Sequence, residues 1–204
     1  PVSLSGTNAY TGGIYSSTAG LTINASTGAI TPSTSTPGNY VVTYETPASG
    51  GCAKVITTTT VDITAVPTAT INYANAPFCV SDGAAKPVNL TGTGNYQNGI
   101  YSSTSGLTIN PTSGEITPSS STPGSYTVTY TSPDAGGCTG ITTTVEVIIT
   151  QTPSADISYN GPFCQADTSA KEVTFSNTIG AYQNGKFSSD GTLTINENTG
   201  AITP

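Results

Sequence analysis

The sequence contains no histidine, no methionine, no tryptophan and no arginine. Without imidazole, the Ser-His and Cys-His nucleophile arrangements and His-ligated metal sites are excluded. Four lysines against eleven acidic residues leave a net charge of −7. Nucleic acid and anionic lipid both require a cationic footprint, and this chain lacks one. No apolar run approaches the ~18 residues of a membrane span, and no signal-peptide pattern is present. The chain opens on Pro1 inside a repeat, which reads as an excerpt from a longer protein.

Large aliphatics are also scarce: Leu, Ile, Val and Phe make up 37 of 204 residues. Such scarcity marks disorder only when net charge is high, and here 7% of residues are charged. Thr, Ser, Gly and Tyr fill the gap. Thr and Tyr favour strands and Gly favours turns, so the bias points to an all-β surface protein.

The dominant feature is a repeat. Gly99–Tyr130 reads GIYSSTSGLTINPTSGEITPSSSTPGSYTVTY; Gly13–Tyr44 reads GIYSSTAGLTINASTGAITPSTSTPGNYVVTY; Gly185–Pro204 reads GKFSSDGTLTINENTGAITP. Successive copies are offset by 86 residues. That period exceeds the ~20–50 residues of most solenoids and suits one small domain per copy. Three copies follow: 1–66 lacking its first strand, 67–152 complete, and 153–204 lacking its last strands. Incomplete copies would expose an unpaired edge, so the natural chain is expected to continue on both sides or to borrow strands from neighbours.

Within a copy, alternation predicts the strands. Val2 and Leu4 in Pro1–Gly6 match Pro87–Gly92; Ile14–Ser17 is a second strand; Gly20–Asn24 is a third, with Leu21 and Ile23 on one face. A turn at Asn24–Gly28 leads to Ile30, and Pro37-Gly38 reverses the chain before the strongest strand, Tyr40–Tyr44, repeated as Tyr126–Tyr130. Gly124-Ser125-Tyr126 resembles the tyrosine corner of immunoglobulin-like sandwiches, although a merely buried tyrosine would read the same. Val55–Ile63 and Ile141–Ile149 alternate over nine residues, so one copy should be a segment of roughly 30–45 Å. Ala69–Tyr73 and Ala155–Tyr159 open the next copies after short proline hinges, which are semi-rigid. The fold class expected is all-β, tandem Ig-like β-sandwich domains in an extended rod.

The four cysteines occur in two contexts, Pro-Phe-Cys at Cys79 and Cys164 and Gly-Gly-Cys at Cys52 and Cys138. Two pairings respect the repeat: Cys79–Cys138 within one copy, leaving Cys52 and Cys164 to partners beyond the chain ends, or Cys52–Cys79 with Cys138–Cys164 between copies. The strands leading along the rod favour the first. A loop of that length would stabilise by roughly 4 kcal/mol on the chain-entropy model, and the bond requires an oxidising compartment, hence secretion.

Other chemistry is sparse. Asp82, Asp134 and Asp167 lie in loops near cysteines, where calcium is conceivable, but no DxDxDG run exists and solvated loop acids are the default. Glu115 and Glu146 are not a glycosidase pair, because the first copy has Ala29 and Thr60 or Asp62 near those places. Asn24-Ala25-Ser26 and Asn89-Leu90-Thr91 are glycosylation sequons. Tyr10, Tyr15, Tyr96 and Tyr101 could form a sugar-stacking face, against the reading that they fill or flank the core.

The stretch GLTINPTSGEITPSSSTPGSYTVTY, with Pro-Phe-Cys before it and Gly-Gly-Cys after it, resembles the cadherin-like Ig module of the SprB-like giant surface adhesins of Bacteroidetes. That resemblance covers essentially the whole chain. It implies export by type IX secretion, a gliding-motility setting and a stalk role in a cell-surface filament. The expected function is a structural repeat segment of a secreted adhesin, extracellular and without catalysis or cofactor. Its expected partners are neighbouring repeats of the same or an identical chain and a possible surface polysaccharide. The alternative is a carbohydrate-binding array on a secreted polysaccharide-degrading enzyme. Near identity of the copies favours the first, since a dedicated sugar site needs one tuned copy.

Overall fold

Alternation of Tyr, Val and Tyr with Thr makes a strand with one apolar face, and this strand centres the sheet in the first two copies. The fold was taken from a computed structural model, which describes residues 2–7, 10–180 and 182–204. In the first copy β1 (Ile14–Ser17), β2 (Gly38–Glu45) and β3 (Ile56–Ile63) form an antiparallel sheet in the order β1-β2-β3. Tyr40, Val42 and Tyr44 of β2 are buried and pack with Tyr15 and Leu21. Tyr15 and Tyr44 sit opposite in register, their rings 4.5 Å apart and tilted by 41°.

The second copy contributes β4 (Thr68–Asn72), β5 (Phe78–Cys79), β6 (Asn89–Thr93), β7 (Ile100–Ser103), β8 (Gly124–Thr131) and β9 (Thr142–Thr150). These make a four-stranded sheet, β5-β9-β8-β7, and a two-stranded ribbon, β4-β6. Tyr126, Val128 and Tyr130 are buried along β8, and Val147 and Ile149 along β9. Tyr101 and Tyr130 repeat the ring pair at 4.7 Å and 44°. In the third copy β10 (Ser154–Ser158) pairs with β11 (Thr174–Ile179), and β12 (Thr194–Ile195) with β13 (Ile202–Thr203). The chain is all-β: among the described residues the only helical pieces are single turns at Pro32–Thr34 and Pro118–Ser120.

Compact units do not follow the copies. One comprises residues 1–70, 91–99 and 131–142, the other residues 71–90, 100–130 and 143–204.

The tyrosine corner is present twice. Tyr40 Oη donates to the Thr36 carbonyl at 2.6 Å, and Tyr126 Oη donates to the Thr122 carbonyl at 2.6 Å. Each bond ties the strand back to the turn preceding it, as in immunoglobulin-like sandwiches.

Two expected elements differ, and one further strand, β5, was not expected. Residues 2–6 form no strand, whereas β6 occupies the matching place in the second copy. β6 pairs with β4, and no residues of this sequence correspond to β4 in the first copy. Gly20–Asn24 reduces to one bridge, Ile23 to Ile30, repeated as Ile109 to Ile116. Its edge is taken up by side chains: the Thr22 amide donates to Ser35 Oγ at 2.9 Å. β5, a two-residue strand parallel to β9, is too short to show any period.

Burial follows the same logic. Val147 and Ile149 are 1% exposed, while their counterparts Val61 and Ile63 are half-buried. Positions equivalent to β4 and β5 of the first copy fall before Pro1, outside this sequence.

Two substitutions test this core. Val128 is fully buried between Tyr126 and Tyr130, so Val128→Asp should abolish the cooperative melt of the second copy by burying an unpaired charge. Thr127→Asp, on the outward face, should melt within a degree or two of the parent; equal melts for both would show the facing to be wrong. Tyr126→Phe removes only the corner hydroxyl and should lower stability by about 1 kcal/mol in denaturant titration.

Candidate functional site

Two small constructions recur with the repeat, and both carry a cysteine. The first follows β4 and β10. Its chain runs through cis peptide bonds at Ala76-Pro77 and Gly161-Pro162 into Phe78-Cys79 and Phe163-Cys164. Phe78 is buried and Cys79 half-buried. Lys86 is held by main-chain bonds in both directions with Ile116, at 2.8 and 3.0 Å. This fixes its ammonium over the Phe78 ring, 5.5 Å from the centroid, and 2.5 Å from Asp82 Oδ2. Lys171 repeats the arrangement over Phe163 and with Asp167. A cleft of about 360 Å³ lies beside Phe78, Cys79, Asp82 and Lys86.

Charge in this construction is internally matched. Lys86, with the Ala84 amide, holds the Asp82 carboxyl below its usual range; Lys171, with Ser169, does so more strongly for Asp167. The hydrogen bond from Ser81, whose hydroxyl lies 3.0 Å from Cys79 Sγ, is the main cause lowering the Cys79 thiol, with Thr152 also contributing.

The second construction is the Gly-Gly-Cys hairpin. Ala135 and Cys138 exchange main-chain hydrogen bonds at 3.1 and 3.0 Å, and Ser49 and Cys52 do so at 3.3 and 3.0 Å. The two residues between have φ of +61° and +79° at Gly136 and Gly137, and of +60° and +80° at Gly50 and Gly51. A two-residue turn with both central φ positive is the tight hairpin that glycine makes without strain. Asp134 Oδ1 closes its base by accepting from the Gly140 amide at 2.7 Å.

All four cysteines are free thiols, so the expected Cys79–Cys138 bridge is not formed. Cys79 is in register with Thr150, at the end of β9, while Cys138 lies four residues before its first residue, Thr142. Cys79 Sγ instead lies 3.7 Å from Thr152 Oγ1; Cys138 Sγ lies 3.9 and 3.7 Å from the Thr64 and Ala65 carbonyl oxygens. Cys52 and Cys164 are exposed, and the partners expected for them fall outside this sequence.

The remaining candidates are occupied locally. Among the described residues no group of three or more His, Cys, Asp or Glu side chains is placed to hold a metal ion. Asp82 and Asp167 serve their lysines, and Asp134 its own hairpin. Tyr15 and Tyr101 are 7% and 6% exposed, so the sugar-stacking face is not built; Tyr10 and Tyr96 are half-buried. Burial raises the Tyr73 phenol well above its ordinary value, with Tyr101 adding to it, and Tyr73 Oη donates to the Gly114 carbonyl at 2.5 Å. Asn24 of the first sequon is engaged in its own turn, its Oδ1 accepting from the Ser26 and Thr27 amides at 3.0 Å each.

Sequence reasoning missed the Lys86–Phe78 and Lys171–Phe163 pairs. Their signal was available: Phe78, Cys79, Asp82 and Lys86 recur together at Phe163, Cys164, Asp167 and Lys171, offset by 85 rather than 86 residues.

No family model matches the chain, and no curated protein matches it. Among solved structures it is similar to the extracellular cadherin domains 3–6 of protocadherin gamma B2, at 12% identity and a TM-score of 0.39. The match covers 94% of this chain and 57% of that one.

The ion pair yields a pH prediction. The folded Asp167 carboxyl titrates below its ordinary value of 3.8. Its contribution to stability is therefore present above that value and is lost as pH falls through it toward the folded value. Lys171→Ala should move the Asp167 titration, followed by carboxyl NMR, upward toward the ordinary value while leaving that of Asp82 in place. An unmoved Asp167 would show that the lysine is not the cause.

Proposed function

We propose that this chain is a structural repeat segment of a secreted cell-surface adhesin or extracellular filament, and that it performs no catalysis. The observation carrying this reading is the recurrence of one internal frame at the sequence period. The Tyr15–Tyr44 and Tyr101–Tyr130 ring pairs, the two tyrosine corners and the two Gly-Gly-Cys hairpins all repeat at 86 residues. What is preserved from copy to copy is a scaffold, and its tyrosines are turned inward. Repetition of a scaffold serves length and spacing; a dedicated ligand site needs a single tuned copy.

The finer parts of the reading belong to the same proposal. Copies 1–66, 67–152 and 153–204 act as successive Ig-like modules of an extended rod, whose partners are neighbouring copies of the same or an identical chain. The resemblance of the repeat to SprB-like adhesins supports a rod outside a Bacteroidetes cell, exported by type IX secretion. The net charge of −7 fits a role away from nucleic acid and anionic lipid.

Electron microscopy of the native protein tests the proposal directly. Threads with a regular repeat are expected, and a compact globule would overturn it. A glycan array with the whole chain should give no binding tighter than millimolar; tighter binding would transfer the assignment to a carbohydrate-binding array.

A further inference from the structure

The two cysteine contexts converge on one place in the repeat, although no two of these four cysteines meet. The hairpin of the second copy is seated on the hinge that closes the first: Cys138 Sγ lies 3.9 Å from the Thr64 carbonyl and 3.7 Å from that of Ala65. Seating is close, since a β-carbon added at Gly136 would stand 2.9 Å from Thr64 Cγ2. The hinge closing the second copy, one period later, holds the other context. There Cys79 is in register with Thr150, the counterpart of Thr64. The Val80 amide donates to the Thr150 carbonyl at 2.8 Å, and Cys79 Sγ lies 3.7 Å from Thr152 Oγ1. Position 64 in one hinge and 150 in the next are thus the same place in the repeat. Its carbonyl is approached by the Pro-Phe-Cys segment of its own copy and by the Gly-Gly-Cys sulfur of the copy that follows.

We infer that the Pro-Phe-Cys cysteine of one copy forms a disulfide with the Gly-Gly-Cys cysteine of the next copy, stapling successive copies across the hinge. Under this rule Cys79 pairs with the hairpin cysteine of a completed third copy, and Cys138 with the Pro-Phe-Cys cysteine of a completed first copy. The rule leaves all four cysteines of the present sequence unpaired, as they are found. Bond formation is thiol–disulfide exchange. Two thiols lose two protons and two electrons, and a small-molecule disulfide oxidant is reduced to two thiols. The lowered Cys79 thiol supplies the attacking thiolate. Only the oxidising setting rests on the extracellular reading; oxidation in vitro tests the pairing on its own.

The test extends the whole chain after Pro204 with a copy of residues 119–152, which completes the third copy and adds one hairpin cysteine. After equilibration with oxidised glutathione, peptide mapping should recover one bridge, joining Cys79 to the added cysteine. Cys52, Cys138 and Cys164 should remain titratable. Recovery of Cys79–Cys138 or Cys138–Cys164, or five free thiols in a chain that melts cooperatively, would overturn the rule. A second variant needs no added copy. Val66→Cys places a thiol at the counterpart of Thr152, the residue that Cys79 touches, and it should cross-link to Cys138 in the otherwise unaltered chain. Cross-linking to Cys52 instead, or none, would count against the convergence.

Discussion

Tyrosine rings in the core, with their hydroxyls returned to the main chain, are the interaction on which the rest of this structure depends. With few large aliphatics, tyrosine must supply the buried apolar area, and a buried phenol is tolerable only when its hydroxyl is bonded. Tyr40 answers to Thr36, Tyr44 to Tyr10, Tyr73 to Gly114, Tyr126 to Thr122 and Tyr159 to Gly200, each through a main-chain carbonyl. Among the described residues no buried side-chain nitrogen or oxygen lacks a partner. The rings also dictate glycine. A β-carbon at Gly28 or Gly114 would stand within 3 Å of the Tyr15 or Tyr101 ring, and both glycines have φ near +70°. The turn therefore closes directly over the ring.

Charge plays a smaller part. All four lysines are in ion pairs: Lys54 with Glu45, Lys86 with Asp82, Lys171 with Asp167 and Lys186 with Glu197. Two of these sit at about 60% exposure on the lysine and contribute little. The other two cover an aromatic ring as well, and their role is to orient the segment that carries the cysteine.

Much of the fold was legible because period-2 alternation and the 86-residue recurrence report on the same residues. β2 and β8 followed from Tyr-x-Val-x-Tyr, and the turn at Asn24–Gly28 from its Asn and Gly, with Gly28 at φ +69°. What could not be read has physical causes. Residues 2–6 carry a strand pattern, but a strand exists only where something pairs with it. β5 is parallel and two residues long, below any period. The surroundings of the cysteines could not be read either, because they depend on which hinge a hairpin leans against. That contact joins residues 73 and 74 positions apart, and no spacing rule encodes it.

The ion-paired lysines have a consequence for resistance to proteolysis. With no arginine, a trypsin-like protease finds four scissile positions in 204 residues, and one of them, Lys86, is followed by Pro87. The main-chain N–H and C=O of Lys86 are both bonded to Ile116, and those of Lys171 to Ile202, so neither can enter a protease cleft as an extended strand without local unfolding. The same economy of cations that leaves the chain acidic leaves it with almost nowhere to be cut.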